Sequence, residues 1–136
     1  MKRKSPKQLK DLADKLFSEF IRRKYADGNG IVKCYTCPNM APWKELQNGH
    51  FVSRTHLSTR WDDRNCRPQC FPCNVWRRGN MDVFALKLSK EDPTILEELN
   101  RLRNQTKQMK RADYEALIED LKNKLQALDS RDRMET

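Results

Sequence analysis

The stretch from Cys34 to Asn74, CYTCPNMAPWKELQNGHFVSRTHLSTRWDDRNCRPQCFPCN, carries a Cys-x-x-Cys pair at each end. Two thiolates on one tight turn can reach the same metal ion, and two such pairs supply the four sulfur ligands of a tetrahedral zinc site. We therefore predict a structural Zn²⁺ held by four residues: Cys34, Cys37, Cys70 and Cys73. A closed four-sulfur shell leaves no open position, so this zinc would stabilise the fold and take no part in chemistry.

A redox motif is the alternative for a Cys-x-x-Cys pair, but such motifs occur as a single pair near a βαβ unit. This chain has two pairs and no βαβ pattern, so zinc is the better interpretation. The fifth cysteine, Cys66, stands outside both pairs and is predicted to be a small buried residue.

The charge of the chain is distributed unevenly. Its 136 residues have a formal net charge of +9, to which residues 1–30 and 31–80 contribute +5 each and residues 81–136 contribute −1. A basic surface favours a polyanionic partner, and nucleic acid is the common one. The alternative is a basic surface that meets only solvent. No apolar run approaches the ~18 residues of a membrane helix, so we expect no membrane contact and a cytoplasmic location.

The pattern of apolar residues predicts an α+β chain in four parts: a basic N-terminal helix (1–30), a zinc-bound module (31–80), a C-terminal helical region (81–128) and a flexible tail (129–136). Ser5, Pro6 and Gln8 are typical of a capped helix start. In the module, four short segments favour β-structure. They are Ile31–Tyr35, Trp43–Leu46, His50–Ser53 and Thr59–Trp61. A leucine stripe (117, 121, 125 and 128) predicts a last helix that packs either on its own domain or on a second subunit.

Between the cysteine pairs, His50, Asn65 and Asn74 follow one another in an order that resembles the HNH nucleases, the zinc-containing form of the ββα-metal fold. More narrowly, the chain resembles the lambdoid phage NinG (Rap) recombination nucleases over most of its length. The residues that carry this resemblance are Cys34-x2-Cys37, Gly49-His50-Phe51, Arg60-Trp61-Asp62, Asn65, Gln69-Cys70-x2-Cys73-Asn74 and Gly79-Asn80.

The chemistry of phosphodiester hydrolysis asks for the same residue types. Histidine has a pKa near neutrality, so His50 is the candidate base that activates water. A hard cation such as Mg²⁺ or Mn²⁺ prefers oxygen ligands, and the side-chain carbonyl of Asn74 offers one. The resemblance implies that Asn65 holds the loop that orients His50. Nearby arginines are predicted to bind phosphate: Arg54, Arg60, Arg77 and Arg78.

The chain departs from the family pattern at Gly49. Many HNH enzymes have a metal-binding Asp or His directly before the catalytic histidine, and glycine cannot replace it. The remaining ligands must then be water, phosphate oxygens or a carboxylate from elsewhere, for which Asp62 and Asp63 are nearest in sequence. No second element specifies a role for His56. The tryptophans at 43, 61 and 76 could stack on unpaired bases, although packing in a small core is more common.

The resemblance implies a metal-dependent endonuclease for branched recombination intermediates, such as Holliday junctions and D-loops, in the cytoplasm of an infected bacterium. Symmetric cutting of a junction requires two active sites, so a homodimer is expected, built from the N-terminal helix or the leucine stripe. Two other hypotheses remain open. One is a non-catalytic, zinc-stabilised protein that binds branched DNA. The other is an adaptor whose C-terminal helices bind phage or host recombination proteins.

Overall fold

The structure, a computed structural model, describes residues 3–135. Helices dominate it and two small antiparallel sheets lie between them, so the predicted α+β class is confirmed. The elements are α1 (Pro6–Lys24), β1 (Ile31–Lys33), β2 (Met40–Pro42), β3 (Gln47–His50), α2 (Leu57–Arg60), β4 (Cys66–Gln69), α3 (Met81–Glu91), α4 (Ile95–Arg103) and α5 (Arg111–Glu135).

Helix α1 begins as its sequence predicts. The Ser5 hydroxyl accepts a hydrogen bond from the backbone N–H of Gln8, and the Gln8 side chain accepts one from the backbone N–H of Ser5. Pro6 occupies the first helical position, where the missing N–H costs nothing. This reciprocal capping box fixes the start of the helix whose apolar face packs against α5, β3 and β4.

Each small sheet has two strands. β1 pairs with β2, and β3 pairs with β4 in a register that places His50 opposite Cys66. β2 and β4 were not predicted from the sequence. β2 has only three residues, Met-Ala-Pro, and the residues of β4, Cys-Arg-Pro-Gln, lack an alternating pattern because all four are buried. Such a fully buried strand shows no polar face.

Two of the predicted β-segments are not strands. Trp43–Glu45 forms a 3₁₀ turn, and most of Thr59–Trp61 lies in α2. A third segment is displaced, since β3 ends at His50 rather than beginning there. β-branched and aromatic residues favour strands only where they pack on a neighbouring strand. Here Trp43 packs on the core around the first cysteine pair, and Trp61 packs on Tyr114 of α5.

Helix α5 packs along α1 inside the same chain. Phe17, Phe20 and Ile21 of α1 form one buried cluster with Leu121, Leu125 and Leu128 of α5, and Cys66 lies within it. The leucine stripe therefore packs within its own chain, one of the two alternatives for it, and the homodimer stays a prediction.

The predicted tail is also corrected. Helix α5 continues through residue 129 to Glu135, because its last turns pair with the end of α1. The Arg23 guanidinium donates to Asp129 (2.7 Å) and to Asp132 (3.0 Å), and Arg131 donates to the Arg23 carbonyl (3.1 Å). These contacts could not be predicted from the sequence, because the partners lie more than 100 positions apart.

Helices α3 and α4 cover the opposite side of the module. Val52, just after β3, is buried with Phe84 and Leu88 of α3 and with Ile95 and Leu99 of α4. α4 begins at Ile95, slightly later than Asp92 and Pro93 suggest, because the Asp92 carboxylate binds the Thr94 N–H in a turn before the helix. Within residues 3–135, no helix is both long enough and apolar enough to cross a membrane.

Candidate active site and metal centre

The four predicted zinc ligands converge. Cys34 and Cys37 lie on the turn between β1 and β2, whereas Cys70 and Cys73 directly follow β4. The four sulfur atoms lie within 4.8 Å of one another, and the sulfurs of Cys37 and Cys70 are 3.6 Å apart. Zn–S bonds of about 2.3 Å in a tetrahedron place sulfurs about 3.8 Å apart. The cluster therefore has the ligand chemistry and the spacing to hold a structural zinc.

Hydrogen bonds from outside the cluster reach two of its sulfurs, and they favour the thiolate form at Cys73, whereas burial raises the pKa of the Cys37 thiol to about 12. The Cys34 sulfur accepts from the backbone N–H of Cys70 (3.3 Å), and the Cys73 sulfur accepts from the Arg77 guanidinium (3.4 Å). Burial alone would raise the pKa of the Cys73 thiol, but the Thr36 hydroxyl, Arg77 and neighbouring thiols lower that pKa to about 6. Such contacts orient metal ligands and tune their basicity.

Cys66 is not part of this cluster. It lies fully buried against α1 and α5, and burial raises the pKa of its thiol well above the ordinary value. The prediction that Cys66 is a small buried residue is confirmed.

His50 lies at the end of β3, half-buried beside the Phe17 ring. Its Nε2 is 2.9 Å from the carbonyl oxygen of Arg60. A carbonyl can only accept a hydrogen bond, so Nε2 carries the proton and the neutral ring has its lone pair on Nδ1. Burial, above all, lowers the pKa of His50 below its ordinary value, and the charges of Arg54 and Arg60 act in the same direction. The ring is therefore neutral at pH 7.

Asn65 is fully buried and connects both sides of the loop around His50. Its Oδ1 accepts from the Val52 backbone N–H (2.7 Å), while its Nδ2 donates to the carbonyls of Val52 (3.0 Å) and Thr59 (3.2 Å). Val52 lies two residues after His50, and Thr59 directly precedes the Arg60 carbonyl that holds the imidazole. Asn65 thus joins the strand that carries His50 to the helix that orients its ring.

Asn74 lies in a π-helical turn, Pro72–Trp76, that begins at the second cysteine pair. A single π-turn is rare and is frequent at functional sites. The Asn74 Nδ2 donates to the Oε1 of Gln47 (2.7 Å), a residue of β3. Because the nitrogen end of the amide is turned toward Gln47, the carbonyl oxygen is the end left for another ligand.

His50 and Asn74 open onto the same cleft. Two adjoining cavities, of about 520 and 400 Å³, share four lining residues: Asn48, His50, Arg54 and Asn74. Arg78 lines the smaller cavity and Asp14 the larger one. The two predicted catalytic residues, 24 positions apart in the sequence, are therefore brought to one solvent-accessible cleft of mixed polar lining.

The carboxylates suggested by the sequence are not in this cleft. Asp62 and Asp63 line a different cavity, of about 470 Å³, between α2 and α5, where Asp62 binds Arg64 and Asp63 pairs with Lys24 at 3.5 Å. The carboxylate among the residues that line the His50 cleft is Asp14 of α1. Asp14 was not predicted from the sequence. The signal that could have identified it is an acidic residue within a mostly basic amphipathic helix.

The Asp14 oxygens already have partners. They accept from the Arg60 guanidinium at 2.6 and 3.0 Å, from Arg54 at 3.0 Å and from the Trp61 indole N–H at 3.0 Å. Although burial opposes it, these donors lower the pKa of Asp14 below its ordinary value. Asp14 therefore fastens α1 to α2 as an anion.

The four predicted phosphate-binding arginines fall into two groups. The side chain of Arg60 is only 12% exposed, and its guanidinium is held by Asp14 and by the Arg54 carbonyl, which gives it a structural role instead. Arg54 shares Asp14 but is 57% exposed at the cleft. Arg77 and Arg78 are both exposed, next to Asn74.

Packing against the paired strand explains why position 49 is a glycine. A Cβ at this position would lie 2.0 Å from the Oε1 of Gln69 on the paired strand. Gln69 is fully buried, and its Nε2 donates to the Thr36 hydroxyl (3.0 Å) and to the Gly79 carbonyl (2.8 Å). The place where a metal-binding side chain would start is therefore filled by a residue that connects both cysteine turns.

Comparison with curated proteins and with solved structures gives no match. Among protein families, residues 1–132 match the model described as Bacteriophage Lambda NinG protein. The match spans the capped helix α1, the four-cysteine cluster, the His50 cleft and nearly all of α5. The chain belongs to the NinG family.

Proposed function

We propose that the protein is a metal-dependent endonuclease that cuts branched DNA during phage recombination, in the cytoplasm of the infected host. The observation that carries the proposal is the imidazole of His50, whose Nε2 is bound to the Arg60 carbonyl and whose Nδ1 is left as a base in a cleft shared with Asn74. Membership of the NinG family supports a recombination-related role. The resemblance to HNH nucleases supports the same residue roles.

In this proposal His50 Nδ1 takes a proton from the water that attacks the phosphorus in line with the leaving oxygen. Its lowered pKa keeps the ring neutral and ready to accept that proton at pH 7. Asn65 keeps Val52 and Thr59 in place, so the imidazole is oriented before substrate binds. Arg54 and Arg78, at the rim of the cleft, bind the flanking phosphates.

A Mg²⁺ or Mn²⁺ ion held in part by the Asn74 carbonyl would neutralise charge on the scissile phosphate and stabilise the leaving oxygen. The chain offers few other ligands in the cleft, because Gly49 has no side chain and Asp14 is bound to two arginines. Mg²⁺ commonly keeps several waters and binds substrate phosphate with only one or two protein ligands. A sparse protein shell is therefore compatible with this ion.

The zinc cluster would support the candidate site by holding Asn74 in place. Cys70 and Cys73 begin the π-turn that carries Asn74. Gln69, on the strand β4 that pairs with β3, donates to Thr36 in the first cysteine turn and to Gly79 after the π-turn. Zinc binding would therefore fix the separation between Asn74 and His50. Two chains are needed to cut a junction symmetrically, so we expect a homodimer whose interface excludes the buried α1–α5 face.

The test is cleavage of a labelled four-way junction and a matched linear duplex, with and without added Mg²⁺, by the wild type, His50→Ala and His56→Ala. Strong chelators are left out because they would also remove zinc. His56 is the matched control, since it is the only other histidine in the sequence. We expect nicking of the junction by the wild type and His56→Ala, and a loss of at least about 100-fold in His50→Ala with binding kept.

One observation favours a second candidate, a non-catalytic protein that binds branched DNA. The cleft has few side-chain oxygen ligands for a metal ion besides Asn74, because Gly49 has no side chain and Asp14 is paired with arginines. Under this hypothesis the wild type binds the junction without nicking it in Mg²⁺ or Mn²⁺, and His50→Ala has the same affinity.

A further inference from the structure

The three tryptophans have different surroundings. Trp43 packs against the core around the first cysteine pair, and Trp61 donates to Asp14 and contacts the Tyr114 ring. Trp76, in contrast, is 73% exposed, the most exposed aromatic side chain among residues 3–135, and Phe71 beside it is 45% exposed. An exposed pair of large aromatic rings is costly in water unless it contacts a partner.

The two rings are held in a defined arrangement. They pack edge to face, with centroids 5.4 Å apart and planes at 87°, at the two ends of the π-turn. The turn starts at the second cysteine pair and is followed by left-handed backbone at Arg78 (φ 50°), Gly79 (φ 89°) and Asn80 (φ 49°). Non-glycine residues adopt this conformation rarely and at a cost, and such residues cluster at functional sites.

That strained segment is fixed from both sides. Asn80 donates to the Thr36 carbonyl (3.1 Å), and Gly79 accepts from Gln69 and donates its N–H to the Cys73 carbonyl (2.9 Å). The fold therefore presents Trp76 on a rigid turn, so little conformational entropy is lost when the indole binds something.

The charge around the rings indicates the chemistry of that partner. Arg77 and Arg78 directly follow Trp76 and are exposed, and no acidic residue occurs between positions 64 and 81. Planar rings next to two exposed arginines fit a polyanion with planar faces, which is nucleic acid, better than an apolar protein segment. The bases of an intact duplex stack on one another, so only an unstacked base can cover an indole.

The rings lie beside the candidate site. Asn74, two residues before Trp76, and Arg78, two residues after it, both line the cleft that contains His50. A base on Trp76 would therefore belong to a nucleotide close to the phosphate in the cleft.

We propose that Trp76, supported by Phe71, stacks on an unstacked base beside the scissile phosphate and so makes the protein select branched or partly single-stranded DNA over intact duplex. This inference rests on the proposed function, since it assigns the substrate-selecting contact of the same cleft. Trp76 is a specificity-determining residue here and takes no part in the chemical step.

The test measures affinities of the full-length zinc protein, without Mg²⁺ so that no cutting occurs, for three DNAs: a four-way junction with 2-aminopurine at the branch, a single strand and an intact duplex. The variants are Trp76→Ala, Trp76→Phe and, as a matched loss of an exposed apolar side chain, Leu86→Ala (57% exposed). Zinc content and thermal unfolding verify that each variant is folded.

We expect Trp76→Ala to bind the junction and the single strand at least about 5-fold more weakly, the lower end of what one stacked base contributes. Duplex affinity should be unchanged, Trp76→Phe should restore part of the loss, and Leu86→Ala should match the wild type. In the wild type, 2-aminopurine fluorescence should change on binding, and Trp76→Ala should abolish that change.

Three results would overturn the proposal. Equal losses on all three DNAs would show that Trp76 acts without regard to base stacking. Unchanged affinities would indicate that the exposed rings bind a protein partner instead of DNA. Conversion of a dimer to a monomer in Trp76→Ala would identify the rings as part of a subunit interface. A wild type that binds none of the DNAs would refute the proposed function itself, and this outcome is distinct from failure of the Trp76 contact alone.

Discussion

The cysteine module and the α1–α5 pair are stabilised in different ways. The module has four strands of three or four residues, and its buried cluster contains three of its own metal ligands. The helix pair runs for 19 and 25 residues and buries a continuous row of phenylalanine and leucine side chains. Strands this short are marginal in water, whereas long amphipathic helices are stabilised by burying each other.

The comparison shows that the rigidity of the site and the overall stability of the fold come from different parts of the molecule. The site residues His50, Asn65 and Asn74 all belong to the module, while the α1–α5 pair contributes Asp14 and the Phe17 ring as its wall. A metal can fix a few side chains to within a narrow range without a large core, which suits a cleft that must stay open to a substrate. The comparison can be tested by perturbing each part alone.

Loss of a zinc ligand should have the largest effect. Cys34→Ser should abolish zinc binding and unfold the module, because apparent zinc affinities of small domains correspond to about 10–16 kcal/mol. Helical circular dichroism should largely remain, while amide exchange in β3 and β4 becomes fast. The control is Cys66→Ala, which removes a buried thiol outside the cluster and should leave the zinc content unchanged. Concerted loss of all helix in Cys34→Ser would show that the two regions fold as one unit.

Truncation of a side chain in the interface between α1 and α5 should have the second largest effect. Leu121 is 1% exposed between α1 and α5, and Leu121→Ala should lower the free energy of unfolding by about 2–5 kcal/mol while zinc remains bound. Urea unfolding with excess zinc, read with zinc content, measures both quantities. Leu86→Ala on α3 should cost less than about 0.5 kcal/mol, because that side chain is 57% exposed. Release of zinc by Leu121→Ala would contradict independent stabilisation.

Some of this architecture is carried by local sequence and was predictable. Each cysteine pair and the Ser5–Gln8 capping box spans only four residues, and both kinds of signal have a direct physical meaning. The position of His50 between the two cysteine pairs, and of Asn74 directly after the second pair, can also be read from the sequence.

The parts that were missed depend on residues far apart. Asp14 reaches Arg60 across 46 positions, and no spacing rule connects an acid in one helix with the cleft of a distant hairpin. β4 was missed because burial on all sides removes the alternation that marks a strand, and the end of α5 because its partners are on α1. Tertiary contacts override local propensity at all three places.

Gly49 tests the packing inside the module. The added methyl of Gly49→Ala would meet Gln69, whose amide is held by Thr36 and Gly79, so we expect a loss of about 2–3 kcal/mol of unfolding free energy. Gln69→Ala should also be destabilising, since two hydrogen bonds are lost. The double variant should cost clearly less than the sum of the two single variants, because the clash is absent when position 69 is small. Strict additivity would refute this explanation of the glycine.

Asp14→Asn should have the smallest effect of these changes, and it tests the contact between the two regions. The carboxylate pairs with Arg60, which is 12% exposed, and with Arg54, which is 57% exposed, so much of the interaction is screened by solvent. We expect a loss of about 1–2 kcal/mol at pH 7. Asp11→Asn is the control on the same helix, because the Asp11 pair with Lys7 is exposed on both sides and should contribute almost nothing.

The pH dependence of that loss follows from the sign of the shift. The folded protein holds the pKa of Asp14 below its ordinary value, so its stabilisation is fully present above about pH 4 and disappears as pH falls through the folded pKa. The difference between wild type and Asp14→Asn should therefore be constant from pH 7 to pH 5 and shrink in stronger acid. Zinc release in acid affects both proteins alike, so the difference between their unfolding free energies reports the contribution of Asp14 alone. A difference that grows in acid would mean that Asp14 is destabilised as an anion and that the arginines do not hold it.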